Sequence, residues 1–229
     1  MRHIQSMIGY LCSYDREIAN AAKKDLLLQR KNAIPHLVTA LTNSDQILVA
    51  EITQLLGLFR KDAITAVEAL VAICYINNPK IRANAIASIG FIAEKAEVCV
   101  PVLQRYMKDS DVNVRRYAVA ALGVFERDAS CAVYELVDAL KDEDAVVREF
   151  SAGILYELGS MPLSLVKQTV ITLKGADPFV RRPIIKLLGK IRRDTGMTIA
   201  ELISLDIVVP SYVGRQVPHE SCSQYAAVS

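Results

Sequence analysis

A thirteen-residue phrase, Asp111-Val-Asn-Val-Arg-Arg-Tyr-Ala-Val-Ala-Ala-Leu-Gly123, limits what this chain can fold into, because it recurs every 33 residues. With Asp111 as reference, the equivalent positions are Asp45, Asn78, Asp144 and Asp177. Four residues after the reference stand Arg82, Arg115, Arg148 and Arg181, and twelve after it Gly57, Gly90, Gly123 and Gly189. A period of this length means that one supersecondary unit is copied and stacked, each copy burying the apolar face of the last. Chain length then measures repeat number rather than domain count.

Each copy reads as helix, tight turn, helix. The turns are Thr42-Asn-Ser-Asp45, Asn77-Asn-Pro79, Asp109-Ser-Asp111, Asp142-Glu-Asp144 and Gly175-Ala-Asp177. In every case Asp or Asn precedes the second helix, where its side chain can accept from N–H groups that have no helical partner. Pro79 and Pro178 follow directly, at a position where a missing N–H costs nothing. Three residues past the reference the chain is aliphatic (Leu48, Ile81, Val114, Val147, Val180), and so it is eleven past it (Leu56, Ile89, Leu122, Leu155, Leu188). An offset of eight returns to the same helical face, so these columns form the core. Small residues at Ala85, Ala118 and Ser151 let neighbouring helices approach. Recurrent glycine, at about 1 kcal/mol of helix propensity each, implies close contact or a bend. The fifth copy has Tyr156 in the glycine column and Gly159 beyond it, so its second helix is expected to run longer.

The N-terminal pair is off-register, since Asp15 precedes Asp45 by 30 residues and Ala19 replaces the arginine. An atypical terminal copy is what a cap requires. The organisation read from the sequence is a capping pair at 1–32, repeats at 33–62, 63–97, 98–130, 131–162 and 163–196, and a tail at 197–229. In that tail Thr198 to Leu205 suits one closing helix. Pro210, Gly214 and Pro218 forbid a further repeat, leaving 206–229 extended or disordered. Its apolar residues Ile207, Val208, Val209, Tyr212 and Val213 suit docking in a groove.

The pattern D-x-x-V-R-x-x-A-x-x-x-L-G after a helix ending in Leu-x-Asp resembles the HEAT repeat, close to the subset first noted in phycobilisome lyases. Asp111 to Gly123 carries the match nearly residue for residue, and Asn78–Gly90 and Asp177–Gly189 carry it well. The resemblance implies an all-α, right-handed α-solenoid of about six helix pairs. It also implies a ladder of Asp and Arg linking successive repeats, which falls here on Asp111, Asp144 and Asp177 with Arg82, Arg115, Arg148 and Arg181. A guanidinium fork suits that role because it holds carboxylate and carbonyl oxygens in fixed geometry. Lyase members of the family attach bilins, so a lyase-like or chaperone-like protein acting on a pigment-protein or other modified protein is the alternative the resemblance brings.

Composition excludes several classes. With 52% hydrophobic and 23% charged residues the chain is core-rich, and a net charge of +2 gives no bulk attraction for nucleic acid or an anionic membrane. No window holds the ~20 apolar residues of a membrane span. The five cysteines, Cys12, Cys74, Cys99, Cys131 and Cys222, include no CxxC pair and are expected as small buried hydrophobes in a reducing, cytoplasmic setting. His3, His36 and His219 have no ligand spacing with Cys, Asp or Glu, and no phosphate loop or nucleophile elbow is present. No catalytic residue, metal site or cofactor is therefore expected.

The residues that differ between copies are the informative ones. If second helices line a concave face, three columns project into it. They hold Ile47, Lys80, Asn113, Val146 and Phe179; Glu51, Asn84, Tyr117, Phe150 and Pro183; and Leu58, Phe91, Val124, Glu157 and Lys190. Apolar anchors with a polar rim suit a peptide or helix. The expectation is a non-catalytic scaffold or adaptor that binds a protein or peptide through Tyr117, Phe150, Phe179, Phe91, Asn84, Asn113, Lys80 and Val146. Charge is uneven: nine acids face three bases from Glu126 to Glu157, and seven bases face two acids from Lys174 to Asp194. That asymmetry permits self-association between acidic repeat five and basic repeat six, and makes nucleic-acid binding by the basic repeat a second alternative.

Overall fold

The computed structural model describes residues 2–173 and 176–196, and the expectations for the tail, with its closing helix and docking residues, lie outside them. The described residues form twelve α-helices and no strand. They divide into two compact units, Met1–Phe125 and one from Glu126 onward.

The first unit holds α1 (Arg2–Tyr10), α2 (Arg16–Leu28), α3 (Ile34–Ala40), α4 (Gln46–Leu58), α5 (Val67–Ile73), α6 (Pro79–Ile92), α7 (Ala96–Tyr106) and α8 (Val112–Val124). The second holds α9 (Val133–Ala139), α10 (Ala145–Leu158), α11 (Leu163–Thr172) and α12 (Pro178–Thr195). Even-numbered helices stack on one another, α4 on α6 on α8 in the first unit and α10 on α12 in the second. That stacking of copied helix pairs is an all-α solenoid.

The reason these helices start where they do is the same six times over. Asp15, Asp45, Asn78, Asp111, Asp144 and Asp177 each have extended backbone, and each accepts from the N–H groups two and three residues on. Of the two core columns, the later one is buried throughout, while in the earlier one Leu48 is half-buried at the entry of α4. The glycine column is a packing device at two positions. A Cβ on Gly57 would lie 2.9 Å from the Cα of Ser88, and one on Gly90 would lie 3.0 Å from the Cα of Ala121. Ser88 then donates its hydroxyl to the carbonyl of Thr53 at 2.7 Å, tying α6 to α4 across that close approach. At Gly189 nothing among the described residues lies within 4 Å.

The first helices depart from expectation. A continuous helix from about Ala63 to Tyr75 is replaced by a 3-10 stretch, Arg60–Ala66, kinked at Ala63, followed by the short α5. A second stretch of the same length, Glu126–Ala132, precedes α9. At the end of each preceding second helix the chain turns back through a left-handed residue. Arg30, Arg60, Ala93, Glu126 and Gly159 take φ values of 50°, 54°, 52°, 47° and 69°. Each stands fifteen residues after its helix's N-cap. This same ruler locates the missing three residues of the first copy. From Arg30 to Asp45 there are fifteen positions, against eighteen from Arg60 to Asn78, so the shortening falls after the reversal, where the 3-10 stretch is only Arg30–Asn32. The second helix of this first pair, α2, is as long as α4. The fifth copy's second helix, expected to be longer, exceeds α8 by one residue and stops at Gly159 because that glycine is its left-handed cap.

Candidate functional site

Two sets of residues were singled out by the repeat, and the structure gives them different surroundings. The arginine column faces the turns. Arg82 grips Asp109 with both arms of its fork, Nε and Nη2 each donating at 2.9 Å, while Nη1 donates to the carbonyl of Ile76 at 3.3 Å. The carboxylate facing Arg82 is thus Asp109 and not the expected Asp111. Asp111 spends its Oδ1 on capping α8, and Asp109, two residues earlier, is the carboxylate left to face the preceding repeat. Burial raises the Asp109 acid, but the Arg82 fork, the Asp111 N–H and the charges of Arg82 and Arg115 outweigh it and hold the group below the usual carboxylate range.

Arg115 is buried and donates Nη1 to the carbonyls of Asp109 and Ser110 at 2.9 and 3.3 Å. Arg148 repeats that motif on Asp142 and Glu143 at 2.8 and 2.9 Å. It reaches Asp177 of the next repeat from Nη2 at 3.2 Å and Nε at 3.4 Å. Asp177 lies below its ordinary range, chiefly because the Val180 N–H donates to it and next because of Arg148. Arg181 is exposed and donates to the carbonyl of Ala176 at 2.7 Å. Asp144 caps α10. A shared role emerges that the sequence did not announce: each column arginine closes the turn before its own helix by binding that turn's carbonyls.

The second set lies on the outer face of the second helices. In the first unit Phe91 and Tyr117 are 47% and 46% exposed, Lys80 and Asn113 are exposed, and Asn84 is half-buried. Asn84 donates Nδ2 to the carbonyl of Ala50 at 3.3 Å. Ile47, Leu58 and Val124 extend the apolar strip, and Arg60 lies 4.9 Å over the Phe91 ring. In the second unit Phe150 and Phe179 are 48% and 68% exposed, and Val146, Tyr156 and Ile185 are also open to solvent. Eight large apolar side chains thus stand in the +2, +6 and +13 columns where core packing leaves them in water, which is the placement a contact surface needs. Glu51 is the exception in these columns, half-buried and ion-paired to Lys23 at 2.6 Å.

Among the described residues no three His, Cys, Asp or Glu side chains form a metal-sized group, and no described helix is long and apolar enough to cross a membrane. Cys74 and Cys99 are fully buried and burial pushes both thiols up to about 12, so neither is a ready nucleophile. Cys12 and Cys131, expected in the core, are only half-buried, and Cys222 and His219 lie outside the described residues. His3 is exposed and His36 half-buried.

The fold and its repeated turns define an α-solenoid. The family model for HEAT repeats matches residues 34–123 and 100–169, and the chain belongs to that family. No curated protein matches it in sequence. Among solved structures, the crystal structure of an engineered protein superposes with a TM-score of 0.62 at 22% identity, covering 84% of this chain and 98% of that one. A designed armadillo repeat protein in complex with the peptide (KR)4 superposes with a TM-score of 0.61 at 16% identity, covering 82% and 98%. Computationally designed armadillo repeat proteins for modular peptide recognition give 0.61 at 16%, covering 82% and 99%. At these identities the likeness is one of fold.

Proposed function

We propose that this chain is a non-catalytic scaffold that binds a protein or peptide segment on the exposed face of its second helices, within each unit. The carrying observation is the exposure of Phe91 and Tyr117 in the first unit and of Phe150 and Phe179 in the second, at positions the repeat leaves free to vary. Architecture uses the conserved columns for caps, core and turn closure, so variation is left to the surface. Tyr and Phe are efficient anchors there, since each brings a large contact area at the cost of two rotatable bonds. A solenoid of similar fold has been observed with the peptide (KR)4 bound. The described cysteines are free thiols, which accords with a cytoplasmic setting.

The test is affinity capture with wild type, Phe91→Ala/Tyr117→Ala and Phe150→Ala/Phe179→Ala, followed by mass spectrometry. Partners captured by the wild type are expected to be lost from one or both variants while helical content stays unchanged. Identical capture by all three proteins refutes the surface assignment.

A further inference from the structure

We propose that the second unit takes an acidic peptide segment along α12, with an apolar anchor at one end; this rests on the scaffold reading and names its ligand chemistry. Phe179, Arg182, Lys186, Lys190 and Arg193 follow one another at spacings of three, four, four and three residues, which sets them on a single line along the helix. All five are exposed, and that line spans about 21 Å at ~1.5 Å per residue. An extended peptide of about seven residues covers the same distance. The core of α12 lies on the other side, at Val180, Ile184, Leu187, Leu188 and Ile191, so the basic line is not an accident of packing.

Among the described residues, Arg182, Lys186, Lys190 and Arg193 have no carboxylate partner, although Lys186 lies 5.7 Å over the Tyr156 ring and Lys190 stands beside Gly159. One repeat earlier, Glu149 and Glu157 on α10 occupy the register of Arg182 and Lys190, while Gly153 on α10 and Ser160 just beyond its end occupy that of Lys186 and Arg193. Val146, Phe150 and Phe179 stand near the start of the two helices, and the basic line runs on from Phe179 to the end of α12. A uniform polyanion has no use for the apolar end. A peptide with Phe or Leu followed by Asp and Glu uses both, and its charges set orientation and on-rate.

Fluorescence anisotropy with the full chain tests this, using a fluorescein-labelled peptide of Phe, Leu, Asp and Glu, a basic counterpart with Lys for each acid, and single-stranded DNA of similar length. The acidic peptide is expected to bind at least tenfold tighter than the basic one. Lys186→Glu/Lys190→Glu/Arg193→Glu is expected to weaken it tenfold or more, and Phe150→Ala/Phe179→Ala to weaken it while leaving its salt dependence in place. Circular dichroism checks that each variant is folded, and Lys186→Gln/Lys190→Gln/Arg193→Gln serves if charge reversal unfolds the unit. Equal binding of acidic and basic peptides overturns the proposal, as does an unchanged Kd in both triple variants. DNA binding that exceeds the acidic peptide and ignores the Phe variants overturns it in favour of a nucleic-acid surface. If the acidic peptide fails while partner capture still depends on Phe150 and Phe179, the scaffold reading stands and only the ligand chemistry falls.

Discussion

The glycine column offers a comparison in which one substitution has opposite effects at two equivalent positions. Gly90→Ala gains roughly 1 kcal/mol of helix propensity. Against this, the new methyl lies 2.8 Å from the Cβ and 3.0 Å from the Cα of Ala121, and the Cα cannot rotate away. Accommodation must come from α6 and α8 moving apart, and overpacking of this kind costs about 1–3 kcal/mol. The net expectation is a loss of up to about 2 kcal/mol, or up to ~4–8 °C in Tm for a chain of this size. Gly189→Ala meets nothing within 4 Å among the described residues and should keep the whole gain, stabilising by about 1 kcal/mol. Urea unfolding followed by circular dichroism reads both differences, and a constant m-value shows that stability rather than the unfolded state has changed. If Gly90→Ala stabilises as much as Gly189→Ala, the column records a sequence habit and not a close approach, and the packing argument fails.

Asp109→Asn is expected to cost about 2–3 kcal/mol, because it strips the largely buried Arg82 of its charged partner. Since the folded Asp109 titrates below its unfolded value of about 3.9, its contribution is present above that pH and lost as pH falls through the lower folded value. The gap in Tm between wild type and Asp109→Asn should therefore close in melts taken from pH 7 down to below pH 4, and a gap independent of pH would count against the ion pair. Ala93→Gly should stabilise by about 0.5–1 kcal/mol in the same urea assay, because it relieves a left-handed residue that carries a methyl; a loss would show that the strain is absent. Asp45→Ala removes the cap accepting from Ile47 and Leu48 and should cost about 1 kcal/mol, read as a lower unfolding midpoint.

What the sequence revealed and what it withheld divide along a physical line. Second-helix columns were legible because two periods coincide: 33 residues between copies and 3.6 within a helix, which together place Ile89 and Leu122 in the core and Phe91 and Tyr117 outside it. Caps were legible because few side chains can serve an N-cap, so Asp111 and Asn78 announce themselves. The choice of Asp109 over Asp111 for Arg82 was not legible. Both carboxylates lie within one turn, and only the geometry of the neighbouring repeat decides which faces the guanidinium. The left-handed column was hidden for a different reason. Its occupants are Arg30, Arg60, Ala93, Glu126 and Gly159, and only the last favours that conformation, so tertiary closure imposes it against local preference. Position in the surface columns could be read for Phe150 and Phe179, but what they touch depends on a second molecule.

The count of fifteen residues from cap to reversal, kept by the first five second helices, has a consequence for how such a chain can change. Between those two points an insertion would rotate every later side chain about the helix axis, so selection must remove it. After the reversal the chain has already shortened by three residues once, and α3 and α5 nevertheless have equal length. Growth and loss are thus confined to one seam per copy, while the face that meets other molecules is inherited as a grid of fixed coordinates. A lineage can rewrite the occupant of a square on that grid, as Pro183 stands where Phe150 stands one copy earlier, without redrawing the board.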